Sequence, residues 1–320
     1  MSARNQSKGV VYAALLGNLL VALTKLGAAL WTGSSAMLSE TVHSFVDTGN
    51  QGVLLYGIHR AALPPDERHP LGYGRELYFW SFTVALLMFT VGAGATFYEG
   101  VQHIISPHPV ENALVNYAVL GASAVFEGST WIYAWREFRK SAGGEGLLAA
   151  ARRSKDPPGF IVLFEDSAAM LGLLIAAVGL AAAQAFDMPM LDGVASIGIS
   201  LLLGTVAILL AYESKELLIG EPAERGIRQS IMEIVGGNGA IERSRLLFTV
   251  HLAPHQIIVA LSLEFRDSLD ATAIEQAVRD VETAIKQRHP EVLAIFVKPQ
   301  AIGSASTADL LRLGQSRPAG

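Results

Sequence analysis

Six long apolar stretches follow one another through the first two thirds of the chain. Each is long enough to cross a bilayer, which takes about 20 predominantly apolar residues. Short polar segments separate them, and in several places these contain proline or glycine. The pattern predicts six transmembrane helices within residues 1–212, with approximate limits Val10–Trp31, Ala36–His59, Leu77–Val101, Ala113–Trp135, Phe160–Ala183 and Met190–Tyr212.

The pattern changes after Tyr212 to that of a small soluble domain over residues 213–301. Apolar residues recur at helical spacing from Ile227 to Val235, and alternate in two runs that end near Leu252 and Phe265. A second amphipathic helix follows Asp270, a good N-cap residue, and Val292–Val297 predicts a closing strand. The order predicts an α+β domain (αββαβ, ferredoxin-like). Residues 302–320 are rich in Ser, Gly and Ala and predict a disordered tail.

Composition agrees with a membrane protein that has a sizeable polar part. The chain is 51% hydrophobic and 17% charged, whereas soluble domains average about 25% charged residues. There is no cysteine, so a metal could be held only by oxygen and nitrogen donors. The net charge of −5 does not indicate a nucleic-acid partner.

The basic residues predict the orientation of the chain. Segments on one side hold eleven Lys and Arg and those on the other side hold none, and basic loops face the cytoplasm. We therefore expect both termini in the cytoplasm, for a protein of the bacterial inner membrane. The eleven residues are Arg4, Lys8, Arg60, Arg68, Arg75, Arg136, Arg139, Lys140, Arg152, Arg153 and Lys155.

The second apolar stretch carries a stripe of polar residues. Glu40, His43, Asp47 and Asn50 are spaced i, i+3, i+7 and i+10, which places them on one helix face, and Gln51 follows. An ionisable group costs roughly 2.5–3.5 kcal/mol at the bilayer centre, so such a row usually faces a cavity or a partner. His43 and Asp47 are one turn apart and could bind one divalent cation. The alternative is a polar seam that hydrogen-bonds neighbouring helices.

Acidic residues also lie in the fourth and fifth stretches. Asp166 and Asp47 fall at similar depths, near the middle of the membrane, when counted from opposite sides. Glu165 stands beside Asp166, and Glu127 in the fourth stretch suits a structural or proton-relay role. The sequence contains neither a nucleophile motif nor HExxH, so we do not predict an enzyme.

Two motifs resemble the cation diffusion facilitator family, closest to its zinc transporter 9 branch. They are SSAMLSETVHSFVDTGNQ (34–51) and HPLGYGRELYFW (69–80). The resemblance implies a homodimer that exports divalent metal in exchange for protons. It also implies metal binding by His43, Asp47 and Asp166.

The chain departs from the family pattern at several positions. Val162 occupies the position of the family's usual fifth-span histidine. Glu165 could either complete the metal site or share a proton with Glu127. In the loop, Asp66 and His69 match a second family metal site, but Tyr73 replaces its other histidine.

The resemblance carries two further expectations. Arg75 matches a basic residue that pairs with an acid after the sixth span, here Glu221. The last strand, FVKPQ, lacks the His–Asp pair of bacterial relatives, so we expect the soluble domain to dimerise by packing without a binuclear metal centre.

The resulting hypothesis is a secondary active exporter of divalent metal, with zinc the first choice and no resident cofactor. Glu165 or Asn50 as ligands would raise the share of oxygen donors and favour manganese, iron or cobalt. Glu40, Glu127, Arg75 and Glu221 are candidates for proton or charge relay. A metal-responsive family member that does not transport is the alternative.

Overall fold

The structure is a computed structural model that describes residues 3–32, 35–107, 113–141 and 146–300. The predicted disordered tail therefore lies outside the described residues. The chain divides into two compact units, Met1–Leu218 and Ile219–Gly320.

The first unit is helical throughout its regular structure. The third predicted span is interrupted by a π-helix, a type of bulge that is frequent at functional sites. The elements are α1 Ala3–Thr32, α2 Ser35–Arg60, α3 Glu76–Leu87, the π-helix Met88–Ala93, α4 Gly94–Ile105, α5 Ala113–Ser141, α6 Leu147–Arg153, α7 Pro157–Ala185 and α8 Met190–Ile219.

Four helical segments of the described chain are long and apolar enough to cross a membrane. They are Lys8–Trp31, Glu76–Ile105, Pro157–Ala185 and Met190–Ile219. The second and fourth predicted spans correspond to α2 and α5, which form continuous helices of 26 and 29 residues. Polar residues lower the hydropathy of both, so these two are not among the four.

The core of the first unit surrounds the beginning of α7. Phe160, Ile161, Val162 and Leu163 are all fully buried there. Val162 therefore fills the family's usual histidine position with an apolar packing group. Four consecutive buried residues on a helix show that α7 is enclosed on every side at this level, which is typical of a central helix.

Helices α2 and α3 form a tight hairpin. A Cβ atom on Gly57 would lie 2.6 Å from the Cβ of Trp80, so only glycine permits this approach. Arg60 at the end of α2 donates hydrogen bonds of 2.6–3.1 Å to both carboxylate oxygens of Glu76. Trp80 donates a further bond of 3.0 Å to Glu76.

The loop between these helices closes on Asp66. Its Oδ1 accepts the backbone N–H groups of Arg68 and His69 at 3.0 and 2.7 Å, and its Oδ2 accepts the Tyr73 hydroxyl at 2.6 Å. This is an Asx-type turn, in which a short carboxylate replaces a backbone acceptor. The hydrogen bond from Tyr73 holds the pKa of Asp66 below its usual value, followed in importance by the backbone bond from His69.

The second unit has the predicted element order. It comprises α9 Arg225–Gly237, β1 Ile241–Ala253, β2 Gln256–Phe265, α10 Ala271–Arg288 and β3 Val292–Pro299. Strand β2 lies in the middle, antiparallel to β1 and parallel to β3. The predicted N-cap is confirmed, because Asp270 accepts the Ala273 N–H at 2.8 Å.

The two helices of this unit pack on one face of the sheet. Apolar side chains of α9 and α10 meet alternate residues of the strands: Ile231, Val235, Val281 and Ile285 on the helices, with Ile257, Val259, Leu261 and Leu263 on β2. His289 makes two polar contacts at the end of α10. Its Nε2 lies 2.8 Å from the Ser230 hydroxyl, and its Nδ1 lies 3.3 Å from a Glu291 oxygen. The unit therefore has a core of its own.

The lowered pKa of Asp66 leads to the first prediction. Removing its largest cause, in Tyr73→Phe, should raise this pKa toward the usual value. A lowered pKa stabilises the loop at pH values above the unfolded pKa, and the effect is lost as pH falls through the folded value. The destabilisation caused by Tyr73→Phe should therefore be present at neutral pH and disappear in acid.

Carbon-13 NMR titration of labelled aspartates would measure the Asp66 pKa directly. Tyr78→Phe is the matched control, because the Tyr78 hydroxyl donates to the Lys155 carbonyl and not to Asp66. An unchanged Asp66 pKa in Tyr73→Phe would contradict the assignment.

Candidate functional site

A hydrogen bond between two buried side chains joins α2 to α7. The Nε2 of Gln51 donates to Oε2 of Glu165 at 2.6 Å. Gln51 is 0% exposed and Glu165 is 8% exposed. Buried polar groups of this kind need partners, because an unpaired carboxylate in an apolar environment is costly. This bond is therefore a buried polar contact between the two helices.

Other polar side chains of α2 surround the same carboxylate. Asn50, which is buried, lies beside Glu165 as well. The charge of Asp47 also acts on Glu165. Asp47, Asn50 and Glu165, three of the predicted metal ligands, are thus brought together. The side chains of His43 and Glu40 lie outside the described part of the structure.

Asp166 faces a different neighbour. It is buried and lies beside the Thr130 side chain and the Glu127 carboxylate of α5. Adjacent residues on a helix point about 100° apart, so Glu165 and Asp166 must diverge. The family resemblance leads us to expect Asp166 to bind metal together with His43 and Asp47. In the structure, Glu165 faces α2 and Asp166 faces α5.

This arrangement bears on the two roles considered for Glu165. The carboxylate near Glu127 is that of Asp166, whereas Glu165 is held toward Asp47 and Asn50. Glu165 is therefore held on the α2 side of α7, and Glu127 lies next to Asp166. Two oxygens, Oε1 of Glu165 and Oδ2 of Asp166, are buried without a hydrogen-bond partner in the described structure.

Gln51 is the site residue to which the sequence reasoning gave no role. It follows Asp47 by four residues, the spacing that brings two side chains onto the same side of a helix. That signal was present in the sequence. Thr130 had no comparable signal, since only the packing of α5 on α7 places it beside Asp166.

The loop pair Asp66 and His69 is a closed turn in this structure. Both oxygens of Asp66 are engaged by hydrogen bonds, and the His69 ring packs on Tyr73 with centroids 4.2 Å apart. Tyr73, at the position of the family's second histidine, donates a hydrogen bond where that histidine would offer a metal ligand. The imidazole ring of His69 approaches Asp66 to 3.5 Å, between Nδ1 and Oδ1.

No three His, Asp or Glu side chains within the described residues are grouped so that they could hold a metal ion by themselves. At the Glu165 site the remaining donors are the amides of Asn50 and Gln51. Arg75 is at the start of α3 and Glu221 belongs to the second unit, so their proposed pairing stays a prediction.

Comparison with known proteins identifies the family of the helical unit. Residues 11–219 match the Cation efflux transmembrane domain. The human proton-coupled zinc antiporter SLC30A9, mitochondrial, is 30% identical over 296 residues, covering 90% of this chain and 52% of that protein. Metal tolerance protein C4 of Arabidopsis thaliana is 34% identical over 239 residues, covering 74% of this chain and 52% of that protein.

A bacterial relative matches at similar total length. The cation-efflux pump FieF of Cronobacter sakazakii is 26% identical over 285 residues, covering 89% of each protein. The chain spans only about half the length of the first two relatives. The match over most of the helical unit shows that this chain belongs to the cation efflux family, a family of transporters and not of enzymes.

Proposed function

We propose that this protein exports divalent metal cations, with zinc the first candidate, in exchange for protons. The observation that carries the proposal is the buried Glu165 carboxylate, held by Gln51 and facing Asp47 and Asn50 of α2. A buried carboxyl group with one oxygen that has no hydrogen-bond partner in the described structure can offer that oxygen to a cation that passes through. The relatives named as a zinc antiporter and a cation-efflux pump support the same activity.

The proposed site uses Asp47, Glu165 and Asn50, with His43 one turn before Asp47 on α2. One imidazole with carboxylates suits zinc, and a transport site needs only three firm protein ligands and an exchangeable position. The share of oxygen donors also makes manganese, iron and cobalt competitive cargo. Asp166 is the ligand that the family pattern indicates, although it faces α5 here.

Proton exchange follows from the chemistry of such ligands. Carboxylates and imidazole bind metal only when deprotonated, so protons compete with metal for the same groups. Glu127, beside Asp166, and Glu40 on α2 are the proposed relay residues. Protons entering from one side would then displace metal from the site.

In this proposal the membrane-spanning unit has six spans, with α2 and α5 as the second and fourth. Both helices carry polar residues within their spans. Those of α2 lie beside Glu165 and those of α5 lie beside Asp166, so each set has a polar neighbour on α7. In this proposal both termini face the cytoplasm, as the basic residues indicate, and the membrane is the bacterial inner membrane. Residues 213–301 form a ferredoxin-like cytoplasmic domain.

We also propose that the protein is a homodimer, joined in part by the open face of the sheet. Phe248 of β1, Ala260 of β2 and Phe296 of β3 are in register across this face, opposite the helices. Phe248 is 51% and Phe296 59% exposed. Exposed aromatic rows of this kind commonly mark protein contacts. Val297 and Pro299 stand in β3 where relatives bind metal, so packing would suffice.

One observation favours the alternative, a family member that responds to metal without transporting it. Val162 occupies the position of the family's fifth-span histidine and is fully buried in the apolar core. A neighbouring side chain therefore cannot take over the role of that histidine at this point of the helix. The Glu165 geometry counts against this alternative, because it supplies a carboxylate to α2 from the same span.

Transport is tested with purified protein in liposomes that contain a metal-sensitive dye. We expect zinc flux that depends on a pH gradient, and loss of that flux in Asp47→Ala and Glu165→Ala because each removes a proposed ligand. Glu137→Gln is the control, since Glu137 pairs with Lys140 away from the site. Wild-type flux in either site variant at subsaturating zinc would refute the assignment.

The dimer is tested on isolated residues 213–301, which have their own core. Phe248→Glu and Phe296→Glu should each weaken dimerisation, by about 2 kcal/mol or more if these aromatics act as hot spots. Met232→Glu changes an exposed apolar residue of α9 and should have little effect. Dimerisation that depends on added zinc would contradict packing as the cause.

The proposed pairing of Arg75 with Glu221 is tested by charge reversal. Arg75→Glu and Glu221→Arg should each reduce transport, and the double variant should restore it. An exposed pair contributes typically under about 1 kcal/mol, so its role would be to bias the dimer geometry. Failure of the double variant to recover transport would remove the pairing.

A further inference from the structure

Gln51 donates a hydrogen bond to only one of the two carboxylate oxygens of Glu165. The bond reaches Oε2 of Glu165, while Oε1 is buried without a hydrogen-bond partner in the described structure. The amide oxygen of Gln51 is in the same condition. Each of the two side chains that this bond joins therefore carries one buried acceptor oxygen that has no donor among the described residues.

The direction of the bond fixes where the carboxylate lies. Glutamate has three side-chain torsions, so Glu165 could turn to several neighbours of α7. The 2.6 Å bond from a fully buried Gln51 holds it on the α2 side, where the charge of Asp47 acts on it. Asp166, the adjacent carboxylate, lies beside Thr130 and Glu127 of α5 instead.

The chemistry of an amide suits this task. Its NH₂ group is a neutral donor, so it binds a carboxylate oxygen without adding charge to the site. A lysine or arginine at the same position would neutralise the carboxylate and oppose the binding of a cation. A second carboxylate would repel the first. Glutamine orients Glu165 and leaves its negative charge available.

We propose that Gln51 is a positioning residue for metal transport, which holds Glu165 against α2 with one carboxylate oxygen bound and the other presented to the cation. This inference rests on the proposed function and assigns Gln51 a role within it. Residues that orient metal ligands in this way typically change metal affinity by about 10- to 100-fold when replaced.

The rival interpretation is that Gln51 only joins two helices. Both interpretations predict some loss of stability when the bond is removed. They differ in whether the effect on metal passes through Glu165. A double-mutant cycle measures this, because residues that act through each other have non-additive effects.

The experiment compares the calorimetric zinc affinity of wild type, Gln51→Met, Glu165→Ala and the double variant, and measures transport in liposomes for the first two. Methionine is similar in length to glutamine and cannot donate the bond. We expect Gln51→Met to raise the KM for zinc by about 10- to 100-fold with the maximal rate nearly unchanged. In the Glu165→Ala background, the same substitution should change zinc affinity, measured by calorimetry, less than about twofold, because its partner is gone.

Ser167→Ala is the matched control. It removes another hydrogen bond between helices, the 2.8 Å bond from Trp131 of α5 to Ser167 of α7, only two residues from Glu165. That bond does not involve Glu165, so the KM for zinc should stay within about twofold of wild type. Thermal midpoints of all variants would report the purely structural share.

Several results would overturn the inference. An unchanged KM in Gln51→Met, or an equal loss of zinc affinity with and without the Glu165 carboxylate, would leave Gln51 as a helix contact only. Wild-type zinc affinity in Glu165→Ala would overturn the proposed site together with this inference. If Gln51→Met does not fold, Gln51→Asn, which is one methylene shorter, must show the same non-additivity.

Discussion

The cost of burying a carboxylate among apolar helices is the constraint on which this site depends. Each such group needs donors or a cation, because neither lipid nor a packed core provides them. Glu165 meets this need only in part, because Oε2 accepts a hydrogen bond from Gln51 while Oε1 is buried without a hydrogen-bond partner in the described structure. The pairing of α2 with α7 is therefore tied to the same polar contact that makes a cation site feasible.

The geometry of one helix separates the two acidic residues of α7. Adjacent side chains on a helix point about 100° apart, so the two side chains of a Glu–Asp pair face different neighbouring helices. Here α2 supplies amides and a carboxylate to the first, and α5 supplies a hydroxyl and a carboxylate to the second. A metal position and a separate acidic pair on the other side of α7 can then coexist at one level.

The loop between α2 and α3 shows how residues suited to metal binding can serve structure instead. Asp66 and His69 have the residue types and spacing of a metal site, yet Asp66 accepts three hydrogen bonds within its own turn. The Arg60–Glu76 pair and the close approach of Gly57 to Trp80 hold the flanking helices together. A hydrogen-bond donor, Tyr73, replaces the ligand that the resemblance led us to expect.

The sequence by itself determined the long helices, the αββαβ order of the second unit, the Asp270 cap and the family. These follow from local patterns: apolar runs, alternation, cap residues and motifs of fixed spacing. It also indicated that polar side chains of α2 and α7 belong to one site. The tertiary structure decided which carboxylate of α7 faces α2, and it placed Gln51 and Thr130 in their roles. Those outcomes depend on the rotation of each helix against its neighbours, which packing sets and residue spacing alone does not.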